Sequence, residues 1–230
     1  MEPNELLGFF GITRGVTAWI GGGGKTSMLL WLSGLLKAHG SVIVCTSTHI
    51  FPPAGMPLFR RVNHRLRTGE CIAVGTPEDS GKLTAPEQSF STLIGIADYV
   101  LCEADGSKGL PLKAHAGHEP VIPPESGVVL AVLGLDGIGK PIREAAHRPE
   151  LYASKLGVSV DTPVSPALAA AMLNSYPRVT GYVLNKADTP LRLACAREIA
   201  SLLNKPAAIT TMQPEAKLIE LWRNGICWLS

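Results

Sequence analysis

A chain of 230 residues with 46% apolar side chains can bury one sizeable core, so a single unit spanning residues 1–230 is expected. Its 21 Lys and Arg against 19 Asp and Glu leave the charge nearly balanced, which removes the electrostatic case for a nucleic-acid or membrane-surface partner. Five cysteines without a Cys-x-x-Cys pair read as free thiols, and "MEPNELLGFF" lacks the basic start of a signal peptide, so a cytoplasmic protein with no membrane span is expected.

In chain order, "VTAWI" (16–20) is a short apolar strand that runs into four glycines, and "KTSMLLWLSGLLKAHG" follows with Met28, Leu29, Leu32, Leu35 and Leu36 at helical spacing. "SVIVCT" (41–46) is apolar on both faces, as a parallel strand buried between helices must be. Residues 47–82 carry Pro52, Pro53, Pro57 and the basic run "RRVNHRLR", and read as loops with a solvated basic face around one short strand, "CIAV". A helix over about 85–96 leads to "DYVLCEADG", a buried strand ending in acids. Residues 106–126 are rich in Gly and Pro, too broken for a helix and too polar for core, and predict an ordered surface loop. "GVVLAVLGLDGIG" is a strand and turn; "RPELYASKLG" and "SPALAAAMLN" are helices with Pro near their starts. The strand "RVTGYVLNKAD", the helix "PLRLACAREIASLLN", the strand "PAAITT" and a final helix "PEAKLIELWRNG" complete the chain. Strands alternating with helices specify an α/β fold of three layers, a mainly parallel sheet flanked by helices, like that of P-loop NTPases.

A phosphate-binding loop needs backbone N–H groups aimed at one point, glycines that permit that curvature, a helix N-terminus, a Lys for the β- and γ-phosphates and a hydroxyl for Mg²⁺. Gly21, Gly22, Gly23, Gly24, Lys25, Thr26 and Ser27 supply these parts between a strand and a helix, with Lys25 read as an exposed loop lysine. The usual G-x-x-x-x-G-K-[ST] spacing would put a glycine where Trp19 stands; the inward shift resembles the GG-x-GKT loops of one class of P-loop proteins. A glycine-rich turn without ligand is the alternative.

Glu103 and Asp105 emerge at a strand's carboxyl end, where open α/β sheets bind ligands, and either could hold Mg²⁺ with Thr26 and Thr48 while assisting catalysis beside Lys25. An acidic turn with no metal is the bland reading of the same residues. Glu103-x-x-Gly106 resembles the E-x-x-G of metallochaperone-type GTPases. Asn185, Lys186 and Asp188 form N-K-x-D, which in G proteins selects guanine because a carboxylate accepts from two donors that adenine lacks. A helix cap explains the same tetrapeptide, so GTP and ATP both stay open. Thr46, Thr48 and His49 follow the second strand where a switch would meet a γ-phosphate. Lys108, Lys113 and His118 are candidate substrate or phosphate contacts, in preference to a metal site on His115-x-x-His118-Glu119.

At "GGGGKT", "CTSTHI", "EADGSKGLPLKAHAGHEPVIP", "GLDGIGKPI" and "HRPE" the chain resembles the YqeC family, described as accessory proteins of selenium-dependent molybdenum hydroxylases. The resemblance runs from about residue 12 through the last strand and covers Lys25, Thr26, Thr46 to His49, Glu103, Asp105, Lys108, Lys113, His147 and Arg148. It implies a nucleotide-binding protein whose partner is a client hydroxylase or a cofactor-maturation protein. His115 stands where the family pattern has Pro, which argues against a family metal site there. The combined expectation is a Mg²⁺-dependent GTPase; a P-loop kinase of a small molecule and a nucleotide-gated module that never hydrolyses are the rivals.

Overall fold

The apolar runs of the sequence become the strands of one sheet in the computed structural model, which describes residues 4–229. The elements follow as α1 (Glu5–Phe10), β1 (Gly15–Gly21), α2 (Lys25–Leu36), β2 (Val42–Thr46), β3 (Leu58–Phe59), β4 (Cys71–Val74), β5 (Thr76–Pro77) and β6 (Leu83–Thr84). Then come α3 (Phe90–Ile96), β7 (Tyr99–Glu103), β8 (Leu112–Lys113), β9 (Ser126–Gly134), α4 (Ile142–Ala145), β10 (Ala146–His147), α5 (Pro149–Leu156) and α6 (Pro166–Asn174). The last are β11 (Gly181–Asn185), α7 (Pro190–Leu202), β12 (Ala207–Thr211), β13 (Lys217–Arg223) and β14 (Ile226–Leu229).

The main sheet runs in the order β14-β13-β12-β11-β9-β1-β7-β2-β4-β3, parallel from β3 to β12 and antiparallel at the β13 and β14 edge. Helices cover both faces, so successive residues of the central strands enter different cores: Ala18 and Ile20 of β1 pack toward α5, α6 and α7, while Trp19 between them packs with Met28, Leu29 and Leu32 of α2. This is the three-layer α/β fold expected. It also accounts for Trp19: that position lies inside the strand, buried under α2, and the turn begins two residues later.

The central strands β1 and β7 lie side by side with Trp19 opposite Glu103, so the glycine turn and the acids leave the sheet at the same edge. Proline and a capping hydroxyl set several helix starts. Ser165 accepts from Leu168 N–H ahead of Pro166, and Thr189 accepts from Arg192 N–H ahead of Pro190.

Three expectations are corrected. The segment 214–225 is not a helix but most of a hairpin, β13 turning into β14 through Asn224 and Gly225, both at positive φ (53° and 73°), as a two-residue hairpin turn demands. Its apolar residues are shared between the two cores: Leu218 and Leu221 join one, Ile219 and Trp222 the other. The helix expected over 85–96 begins only at Phe90, capped by Ser89, whose side chain accepts from Thr92 N–H at 3.2 Å. The middle of the segment 106–126 is not surface: Leu112, Lys113, Ala114 and His115 are all buried. Polarity did not keep it outside because its polar side chains are paired internally, Lys113 with Glu119 at 3.1 Å and His115 hydrogen-bonded to Asp105 at 2.6 Å.

Candidate functional site

Each of the four glycines is held against a neighbour that leaves no room for a side chain. A Cβ on Gly21 would lie 2.3 Å from Val132 O, on Gly22 2.5 Å from Leu110 O, on Gly23 2.1 Å from Gly134 N, and on Gly24 2.5 Å from Asn185 Nδ2. Gly21, Gly23 and Gly24 also need positive φ, at 92°, 81° and 119°. Gly22 N–H donates to Val132 O and Gly23 N–H to Leu110 O, which pins the turn to the end of β9 and to the 106–113 loop. Helix geometry then leaves the N–H groups of Gly24, Lys25, Thr26 and Ser27 without intrahelical partners, and no side chain caps them. They open on a cleft of about 1080 Å³ lined also by Thr48, Glu103, Gly106, Lys108 and Lys186.

Lys25 is 3% exposed, which corrects the expectation of an exposed loop lysine. Its ammonium donates back to Gly21 O at 2.6 Å and lies 3.0 Å from Asp105 Oδ1 and 3.5 Å from Glu103 Oε1. Burial pushes the Lys25 ammonium down, but the two carboxylates outweigh it and raise its pKa above the ordinary value. Thr26 donates its hydroxyl to Glu103 Oε2 at 2.8 Å, so hydroxyl and carboxylate sit together at the cleft.

The two acids differ. Burial pushes the Glu103 carboxyl above its usual range despite Lys25 and Thr26. For Asp105, burial is outweighed by Lys25, the hydrogen bond from His115 and the charge of Lys113, which hold its carboxyl well below that range. Asp105 Oδ2 accepts from Gly21 N–H at 2.8 Å and from His115 Nε2 at 2.6 Å, and the side chain is fully buried away from the cleft lining. Asp105 therefore braces the loop from beneath, whereas Glu103 faces the cleft. His115 serves that brace, its ring edge-on to Tyr176 at 4.5 Å, and no cluster of three metal-ligating His, Cys, Asp or Glu exists among the described residues.

The other expected site residues divide. Thr48, His49, Lys108 and Lys186 line the cleft, His49 with its ring 3.1 Å from Glu78. Thr46 is buried and donates to Glu103 O at 2.7 Å, fixing the strand end. Lys113 is buried, donating to Gly106 O at 2.6 Å. His118 is exposed beside Arg148 at 3.5 Å, off the cleft lining. Asn185 is buried with both ends of its amide engaged, Nδ2 donating to Gly23 O at 2.9 Å and Oδ1 accepting from Thr210 at 3.2 Å. Lys186 donates to Asp136 Oδ2 at 2.7 Å, and Asp188 is exposed, 2.5 Å from Arg192. The cap of α7 is Thr189, so capping does not account for Asp188.

Asp136, Phe51 and Lys82 escaped the sequence reading. Asp136 carried a readable signal, an acid just past the end of β9; Phe51 and Lys82, whose ammonium lies 5.3 Å from the Phe51 ring centroid, sit in the least regular part of the chain. His147 and Arg148 entered only through resemblance.

The family model described as YqeC protein matches residues 17–150. The chain belongs to the YqeC family. It is 34% identical over 184 residues to "Uncharacterized protein YqeC" of Escherichia coli (strain K12), a match covering 70% of this chain and 69% of that one. The YqeC model spans the glycine loop, both acids, the 106–126 segment and Arg148, and it ends before Asn185. The family match thus encloses most of the cleft and leaves the N-K-x-D residues outside it.

Proposed function

We propose that this protein binds a nucleoside triphosphate with Mg²⁺ at the glycine loop, prefers guanine, and hydrolyses the nucleotide while serving maturation of a selenium-dependent molybdenum hydroxylase. The observation that carries the reading is the meeting of Lys25, Thr26 and Glu103 at the mouth of a glycine turn whose helix start has unpaired N–H groups. In this reading the loop is a P-loop: the N–H groups of Gly24 to Ser27 take the phosphates, and Lys25 turns from the Gly21 carbonyl toward them.

The donor set fits a magnesium ion. The Thr26 hydroxyl and Glu103 carboxylate are hard oxygen donors 2.8 Å apart, and Glu103 is a buried acid that Lys25 alone does not bring down to the usual carboxylate range. When bound, the ion would neutralise phosphate charge. Asp105 holds Gly21 and Lys25 in place, and Asn185 holds Gly23. Guanine preference rests on Asp188, an exposed carboxylate that the helix does not need as a cap. The hydroxylase context follows from the family resemblance.

Titrations of fluorescent GTP and ATP with and without Mg²⁺ test the reading: Mg²⁺-dependent binding with GTP ahead is expected, and binding of neither nucleotide at millimolar concentration overturns it. Glu103→Gln should cut hydrolysis at least tenfold while changing affinity less, because the carboxylate acts on the metal side rather than on most of the nucleotide. Equal loss in both would remove that role.

A further inference from the structure

The same cleft carries positive charge that the nucleotide reading does not use. β8 pairs with β10 in parallel, Lys113 opposite His147, and this brings the 106–113 loop against the start of α5. Lys108, His147 and Arg148 line the cleft there. Glu119 is the acid among them, and it is already shared, 3.1 Å from both Lys113 and Arg148. Lys108 is exposed with no ion partner among the described residues, and His147 Nδ1 is buried with no hydrogen-bond partner. Burial and then the charges of Lys113, Arg148 and Lys108, opposed by Glu119, hold the His147 imidazole below its ordinary pKa. Lys108 and Arg148 also hold left-handed backbone, at φ 52° and 65°, a conformation rare for residues with side chains and frequent at binding sites.

Lys108 without an ion partner, Arg148 sharing Glu119 with Lys113, and the His147 ring line one concave surface, a set that selects an oxyanion with several acceptor atoms. We propose that Lys108, His147 and Arg148 form a second anion subsite that takes the phosphate group of a small ligand, separate from the phosphates held by the glycine loop. Its position beside a nucleotide rests on the function proposed above; the anion site itself does not. A continuous run of charge contacts, Arg148 to Glu119 to Lys113 to Asp105 to Lys25, joins the two.

Equilibrium dialysis of the full chain against labelled inorganic phosphate, with the glycine loop saturated by Mg²⁺ and a non-hydrolysable GTP analogue, tests this. One equivalent of phosphate should bind, and Lys108→Ala with His147→Gln should weaken it at least tenfold while moving analogue affinity less than threefold. If the double variant does not fold, Lys108→Ala, an exposed position, should alone weaken phosphate several-fold. No uptake by the analogue-loaded protein, phosphate binding that ignores the variants, or an equal loss of analogue affinity would each overturn the subsite. Should the wild type bind no nucleotide, the dialysis is run without it: the nucleotide reading then fails, and the subsite stands or falls on whether the variants weaken phosphate.

Discussion

Lys25 serves two ends with one charge. It lies 3.0 Å from the Asp105 carboxylate and 3.5 Å from that of Glu103, and in the proposed function it meets phosphate. Lys25→Ala should therefore raise the nucleotide Kd at least a hundredfold, about 2.7 kcal/mol, and also cost about 3 kcal/mol of stability by leaving Asp105 and Glu103 unpaired. Nucleotide titration and urea unfolding of the same variant measure both, and lost binding at unchanged stability would contradict the ion-pair role. Asp188 carries the base prediction. Wild type should bind GDP more tightly than ADP, and Asp188→Asn should shift preference toward the xanthine nucleotide, whose C2 carbonyl can accept from the new amide. Equal affinities for GDP and ADP, with no response to the substitution, would leave Asp188 only as the partner of Arg192. Residue types at this scale were legible in the sequence, but burial was not: Lys25, Lys113 and Asn185 were read as ligand contacts, and all three are enclosed.

At the scale of elements, the strand, glycine turn and helix are visible in "VTAWIGGGGKTSMLL" because the apolar run stops where the glycines begin. What holds the turn is not visible there, since Val132, Leu110, Gly134 and Asn185 are far along the chain. Gly23→Ala should be among the most damaging single changes, because its methyl would meet Gly134 N at 2.1 Å and the backbone sits at φ 81°. A loss of about 4 kcal/mol, a melting point lower by about 10 °C, is expected by thermal unfolding. Gly34→Ala on the exposed side of the last turn of α2, where nothing lies within 4 Å, should raise stability by about 0.5 kcal/mol. The C-terminal hairpin shows the reverse failure. Its Asn224-Gly225 turn signal was present, yet the apolar spacing of "AKLIELWR" also fits a helix, and the free edge of β12 decided between them.

For the molecule as a whole, the Asp105 brace joins β7, the glycine turn, α2 and the 106–126 segment in one buried charge network. Asp105→Asn should destabilise the protein by about 3 kcal/mol at pH 7, since it removes the buried carboxylate that faces Lys25 and Lys113. The pH dependence has a definite sign. Because the folded pKa of Asp105 is depressed, its contribution is fully present above the unfolded value of about 3.9 and is lost as pH falls from there toward the folded value. Urea midpoints of wild type and variant should therefore stay apart from pH 7 down to about 4 and converge only below it. Convergence already at pH 6 would mean that Asp105 is not the depressed group.

Local order along the chain was enough to determine the parallel α/β class, the glycine turn, the acids at a strand end and the family, because strand periodicity, glycine runs and short motifs are written in neighbouring residues. Only the tertiary structure decided that Glu103 faces the cleft while Asp105 lies beneath the loop, that Asn185 props Gly23, and that Lys108, His147 and Arg148 line the same cleft. Residues as far as 162 positions apart meet there because the parallel sheet delivers its strand ends to the same edge, and which side chain points outward or inward depends on partners that no local stretch contains.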